Sequence, residues 1–538
     1  MEVLTLQLGH FANHVGAHFW NFQDEAAAQE SEDSSIDHAR LFHYSEAAKA
    51  VTWRPRLVAV DKQGALGGAG PAIETQAEAK EPDEGMWLGK LEVLRAAPVV
   101  KHAFQEDLED EEMEEEVESE RRGVKTWAEY DFRNTVRTWT DFLKVQLGSV
   151  YELPRVQHGI SPFPFFFEGL EVQGREEEES ILDLARRQTE LCDQAEVVQA
   201  VYDMQDGFGG VADVVMRWAR EELPKTGKFL MAVLPEEVPA TDRPDPEMWG
   251  MSPQADVSTL ALDYEASSWL SAAFSFARLQ DCDIHAWVPT PVPLWSASSS
   301  MPQLERRNFY EASALPAAAL DNALLPCRIR GLARPSQFLS QLAPSHRPCC
   351  GLLQALPLPA APPPVLGQAP GGNDTLEAIF EAGAFVDLTG MKVMPLNPYT
   401  SVVLRSPEQR RLLNLTRTLP PLARKQSLVH HQPLILPVPF PQVFASSVSS
   451  DGSLEKGRDP GQEVESCPMV TRLHAAMGAG KCEALQRMSA VLKRTSVFAA
   501  MRQRYGVEAD EIREVLEVVT DHMECAADSS DDDDDISE

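Results

Sequence analysis

The stretch from Glu2 to Phe22, EVLTLQLGHFANHVGAHFWNF, constrains the fold of this chain more than any other. Leu4, Leu6 and Leu8 alternate with Val3, Thr5 and Gln7, the pattern of a strand with one strongly apolar face. Gly9 ends the alternation. Phe11, Val15 and Phe19 then recur at helical spacing, with Ala12 and Trp20 beside them. A strand, one Gly and a helix N-terminus is the geometry that offers backbone N–H groups to a phosphate. It is equally how many α/β domains begin, and these residues alone leave both readings open.

Later segments repeat the α/β signature. Leu57 to Val60 is a short apolar run of the buried parallel-strand kind, ended by Asp61 and Gly64. Val197 to Tyr202 is a second such run. It leads into the loop Asp203 to Asp213, DMQDGFGGVAD, then a helix from about Val214 to Leu223 and a strand from Phe229 to Leu234. Strand, Gly-rich turn, helix and strand make a βαβ unit, and the turn lies where a phosphate cradle would be. A cradle needs small residues and hydroxyl donors. Here Phe208 adds bulk, and Asp206 puts a carboxylate where phosphate oxygens would lie. The glycines then serve a tight turn rather than a nucleotide.

With 538 residues the chain holds two or three domains with substantial cores. Its net charge of −35 disfavours nucleic acid and anionic membrane surfaces as direct partners. No apolar run is long enough for a transmembrane helix. The N-terminus lacks the features of a secretory signal or transit peptide, which points to a cytosolic chain. The eight cysteines contain no C-x-x-C pair, so neither a disulfide framework nor a zinc site is indicated. His10, His14 and His18 share one helical face, but no acidic or Cys partner is evident in sequence, and no metal site is expected. Ala475 to Cys482, AAMGAGKC, fails the Walker A pattern at both ends.

LQLGHFANHVGAHFW closely resembles the opening of tubulins, a strand followed by G-Q-x-G-N-Q-x-G-x-x-F-W. Gly9, Asn13, Gly16, Phe19 and Trp20 fall on matching positions, His10 and His14 stand in place of two Gln residues, and Ala12 replaces a Gly. Pro55, Arg56, Val60 and Asp61 match a second tubulin segment, with Gln63 where an acidic residue near magnesium would be. The tubulin G-G-G-T-G-S-G loop is met here by QDGFGGV, in which Gly207 and Gly209 match and Gly210 replaces the Ser. The tubulin-type activating loop G-x-x-N-x-D-x-x-E is absent. Together with DGFGGVADVVM and WTDFLKVQL, these segments are similar to the misato family of tubulin-related proteins, over roughly the first 240 residues.

The resemblance implies a tubulin/FtsZ-like α/β fold: a Rossmann-type parallel-sheet N-terminal domain, a second α/β domain, and C-terminal helices with an acidic tail. It implies a non-enzymatic protein of mitochondrial distribution, morphology and inheritance, at the mitochondrial outer surface. Partners would be mitochondrial outer-membrane proteins, tubulin or tubulin-folding machinery. Gly9, His10, Asn13, Asp61, Gly207, Gly209 and Gly210 would line a vestigial nucleotide pocket in which GTP is doubtful and no other cofactor is expected. The alternative is a residual GTP-binding, polymerising GTPase.

The expected organisation is a tubulin-like domain over 1–290, a second α/β region over 291–445, a linker over 446–470, C-terminal helices over 471–525 and an acidic tail over 526–538. Glu106 to Glu120 carries eleven carboxylates in fifteen positions, an acidic insertion at about 105–122 that reads as a solvated loop, an irregular helix or a docking segment. Val124 to Leu147 reads as a helix. Pro162 to Phe167, PFPFFF, reads as a core or interface plug. Residues 355–370 read as a polyproline-type loop, and Cys482 to Tyr505 and Val507 to Met523 as two helices. Ser529 and Ser530, ahead of five Asp residues, suit an acidophilic kinase.

Overall fold

The computed structural model describes the chain except residues 30–34, 48–49, 68–100, 116–129, 162, 237–263, 333, 343–348, 360–374, 377–378, 380–384, 392–395, 455–456, 476–481, 495–500 and 525–538. Strand β1 (Glu2–Leu8) runs through Gly9 into helix α1 (His10–Ala28). A hairpin, β2 (Phe42–Ala47) and β3 (Ala50–Pro55), leads to β4 (Leu57–Gln63). With β5 (Val150–Gln157), β6 (Ala195–Asp203), β7 (Gly227–Leu234) and β8 (Ala286–Pro291), β1 and β4 form a six-stranded parallel sheet ordered β5-β4-β1-β6-β7-β8. The strand order turns at β1, so the crevice beyond its carboxyl end is the switch point where ligands of such sheets bind.

Both faces of this sheet are covered, as the continuous apolar runs require. The leucines of β1 face one core together with Phe163, Phe165 and Phe166, so the aromatic plug is internal. Helices α4 (Phe166–Leu170), α5 (Glu176–Glu190), α6 (Phe208–Glu222) and α7 (Tyr264–Leu279) supply that layer, and the C-terminal helices Glu483–Leu492 and Ala509–Glu524 extend it. Val3 points the other way, into a core shared with Phe11, Val15 and Phe19 of α1 and with α8 (Phe309–Ala323).

The same core continues into a second, mixed sheet behind α8. Its strands are β9 (Cys350–Ala355), β10 (Val386–Asp387), β11 (Thr400–Arg405), β12 (Leu428–His430) and β15 (Met469–Ala475), in the order β10-β9-β15-β11-β12. A two-stranded pair, β13 (Leu434–Ile435) and β14 (Ser466–Cys467), lies beside it in sequence. Helix Gln409–Arg417 packs Leu412 and Leu415 on its far face.

Three expectations change. Within the described part of Val124 to Leu147 only the turn α3 (Phe132–Thr135) and a 3-10 turn at Trp139–Phe142 are helical. The large residues there reach the core from irregular backbone, and Trp139 is tied to Asp61, so no single helix face is needed. Of the acidic insertion, the part up to Glu115 lies on a helix, α2 (Ala103–Glu115), one of the forms expected for it. Strand β15 straddles the boundary expected at residue 470 and is the middle strand of the second sheet, paired on one side with β11 and on the other with β9. Helix α6 starts at Phe208 rather than Val214. Ser529, Ser530 and the acidic tail lie outside the described residues, as do 116–122, 360–370 and most of AAMGAGKC. Among the described residues no helix is long and apolar enough to cross a membrane.

Candidate functional site at the carboxyl edge of the sheet

Parallel pairing of β1 with β6 sets Leu8 opposite Tyr202, so the next residues, Gly9 and Asp203, come together. Gly9 has φ +118°, a conformation that favours glycine, and a Cβ there would lie 2.5 Å from the Asp203 carboxyl carbon. That close approach places the Asp203 carboxylate on the N-terminus of α1. One oxygen accepts the Phe11 N–H at 3.0 Å and the other the Ala12 N–H at 2.8 Å. These are the free donors that a helix start offers to an anion. The chain fills the position with its own side chain.

The second helix start facing the crevice is treated the same way. The Phe208 N–H of α6 donates to an Asp206 carboxylate oxygen at 2.9 Å, and the Gly209 N–H donates to the Asp206 carbonyl at 3.1 Å. Gly210 and Val211 donate to the Gly207 carbonyl. Burial, and then the Asp206 charge, raise the Asp203 carboxyl, while the Phe11 and Ala12 N–H groups, one on each oxygen, pull it down by binding the ionised form.

The glycines of this turn are occupied by protein rather than open to a ligand. The Gly207 N–H donates to the Phe163 carbonyl, and a Cβ on Gly207 would meet the Phe163 ring at 2.4 Å. A Cβ on Gly210 would lie 2.2 Å from the Phe166 carbonyl, and one on Gly169 of α4 would lie 1.6 Å from the Gly207 carbonyl. Gly209 faces Ser275 of α7. The aromatic plug Phe163–Phe166 and α4 therefore lie against the segment where a phosphate cradle was expected, and Phe208 stacks edge-on with Phe163 at 5.3 Å.

On the other side of Gly9, Asp61 at the end of β4 is fully buried. It accepts from His10 Nδ1 at 3.1 Å, Asn13 Nδ2 at 3.0 Å, Trp139 Nε1 at 2.9 Å and the Lys62 N–H at 2.7 Å. Burial opposes its charge, but His10, Lys62 N and Asn13 outweigh that and hold it at about 2. Asp61 is the acidic partner of His10 that the sequence did not reveal. His14 Nδ1 is bonded to the His10 carbonyl and His18 Nε2 to the Tyr310 carbonyl, so the histidine face is spent on separate contacts. Burial lowers His18 to about 3, and burial and then His10 keep His14 well below its ordinary value. Among the described residues no cluster has the make-up of a metal site.

Above this network His158 lies 4.3 Å from His10, and Phe309 lies 5.0 Å from Phe11 and 5.6 Å from His14. The structure thus brings Gly9, His10, Asn13 and Asp61 together, and sets Gly207, Gly209 and Gly210 across Asp203 from them. Asp203 and Trp139 are the residues that sequence reading missed. Asp203 directly precedes the Gly-rich turn, and its position at the end of an apolar run was the available signal.

Residues 1–110 match the family model of the Misato Segment II tubulin-like domain. Over almost its whole length the chain is similar to two animal proteins. It is 24% identical to Protein misato homolog 1 of Danio rerio, covering 99% of each chain, and 26% identical to Protein misato of Drosophila melanogaster, covering 98% of this chain and 99% of that one. It is also 27% identical to Protein DML1 of Gibberella zeae over 64% of both chains.

Proposed function

We propose that this chain, a homologue of the misato proteins with a tubulin-like α/β fold, is a non-enzymatic regulator of mitochondrial distribution, morphology and inheritance. It acts from the cytoplasmic side, at the mitochondrial outer surface, through protein partners that include outer-membrane proteins and tubulin or its folding machinery. The organelle role rests on the misato resemblance. The non-enzymatic reading rests on Asp203: a carboxylate bound by Phe11 N and Ala12 N takes the donors that a nucleotide phosphate needs. Asp206 and the aromatic plug support it at the second helix start.

Equilibrium binding of labelled GTP to the purified full chain, with turnover followed in the same samples, tests this reading. The expected result is no saturable binding in the micromolar range and no hydrolysis. Micromolar binding with measurable hydrolysis would overturn it in favour of a polymerising GTPase. The organelle role is tested separately, by protease treatment of intact mitochondria carrying the tagged chain. Loss of the tag from the pelleted organelles supports residence on the outer surface, and a chain that never pellets with them contradicts it.

A further inference from the structure

A second buried charge cluster lies near the other end of α1. Asp321, near the end of α8, receives two side chains from distant segments and one from the turn that follows the helix. One oxygen accepts from Gln23 Nε2 at 2.6 Å and Arg328 Nη2 at 2.7 Å, and the other accepts from Arg405 Nη1 at 2.6 Å. Arg328 also donates to the Gln23 side-chain oxygen and to the Asp321 carbonyl. The two arginines are only 4% and 5% exposed. Among the described residues two guanidiniums therefore share one carboxylate, and one positive charge is left over in a place with little water. The neighbouring His430 does not add to it: burial and then Arg405 lower it to about 4, so it is neutral at physiological pH. Burial, with Arg328 adding to it, also pulls the Arg405 guanidinium below its ordinary value.

The cluster is not sealed. It opens on a cleft of about 320 Å³, lined by Arg328, Arg405 and Asp321 together with apolar residues that include Phe22, Ala26 and Leu434. An apolar wall with a few convergent polar groups is the usual make-up of a small-molecule site. The guanidinium fork matches a planar carboxylate or a phosphate. A purely structural triad would tie α1, α8 and β11 together, but it would need neither the surplus charge nor the cleft.

We infer that this cleft binds a small oxyanion-bearing molecule, a carboxylate or a phosphate ester, whose anionic group pairs with Arg405 and Arg328. One negative charge of the bound anion balances the cluster, and the body of the ligand lies against Phe22 and Leu434.

The test uses the purified full chain, with orthophosphate and acetate as separate titrants against sodium chloride at matched ionic strength. Binding is read by calorimetry and by thermal unfolding. At least one of the two anions should saturate at one site per chain and raise the melting temperature above the chloride control. Arg405→Gln leaves the Asp321–Arg328 pair balanced and should weaken binding at least tenfold. Ala26→Glu, on a half-buried position of α1, puts a competing carboxylate into the cleft without touching the cluster and should do the same. If neither anion binds beyond the chloride control, or if both variants bind as the unmodified chain does, the inference is wrong.

Discussion

At the N-terminal end of α1 the carboxylate of Asp203 occupies the donors that would hold a phosphate. Near the C-terminal end two guanidiniums share the single carboxylate of Asp321. One helix, about 28 Å long at the usual rise of an α-helix, thus separates a site whose need for an anion is met from within and a site whose need is left open. A tubulin-like fold does not require its switch point to stay a ligand site. The parallel register that would aim a phosphate at the helix start aims a side chain there just as well.

The largest expected effect attacks the self-satisfied end. Asp61→Ala strips four donors of their buried acceptor and should cost about 3–5 kcal/mol, read by urea unfolding. A loss below about 1 kcal/mol, the scale of one ordinary hydrogen bond, would mean that water enters and that the crevice is open. Gly169→Ala forces a methyl against the Gly207 carbonyl and should cost about 1–3 kcal/mol as overpacking. Unchanged stability would show that α4 lies off the Gly-rich turn and leaves it free for a ligand.

The smallest effect concerns pH. His18 is lowered to about 3 when folded, so between about pH 3 and its ordinary value of 6.5 the unfolded chain binds the proton and the folded chain does not. Stability therefore rises with pH across that window and is lost as pH falls through it. His18→Gln keeps an amide donor for the Tyr310 carbonyl and should lower the slope of unfolding free energy against pH by up to one proton. An unchanged slope would show that His18 already titrates freely in the folded chain, against its full burial beside Tyr310.

The sequence was most readable where local patterns carry the structure. Alternation in β1, the break at Gly9 and the helical stripe of α1 lie where they were expected, because each depends on near neighbours. The glycines at 207, 209 and 210 were visible, but what they approach was not. Contact with Phe163 and α4 depends on how a distant segment folds back. Asp203 meets Phe11 and Ala12 across more than 190 residues, through strand register alone. The Asp321 cluster joins α1, α8 and β11, and no spacing in the chain announces it. Val124 to Leu147 misled because apolar residues at near-helical spacing can also be anchors of an irregular segment, as Trp139 is.

Asp203→Ala tests most directly whether a carboxylate of the chain stands in for a bound anion. The variant leaves two helix N–H groups without an acceptor, and should unfold about 1–3 kcal/mol more easily than the unmodified chain. The decisive reading is how its melting temperature responds to orthophosphate at fixed ionic strength, in an Arg405→Gln background that isolates this end of α1. The expected result is a phosphate-dependent rise in the Asp203→Ala chain that is absent when Asp203 is present. An equal response with and without Asp203 would contradict the assignment of that carboxylate to the anion position.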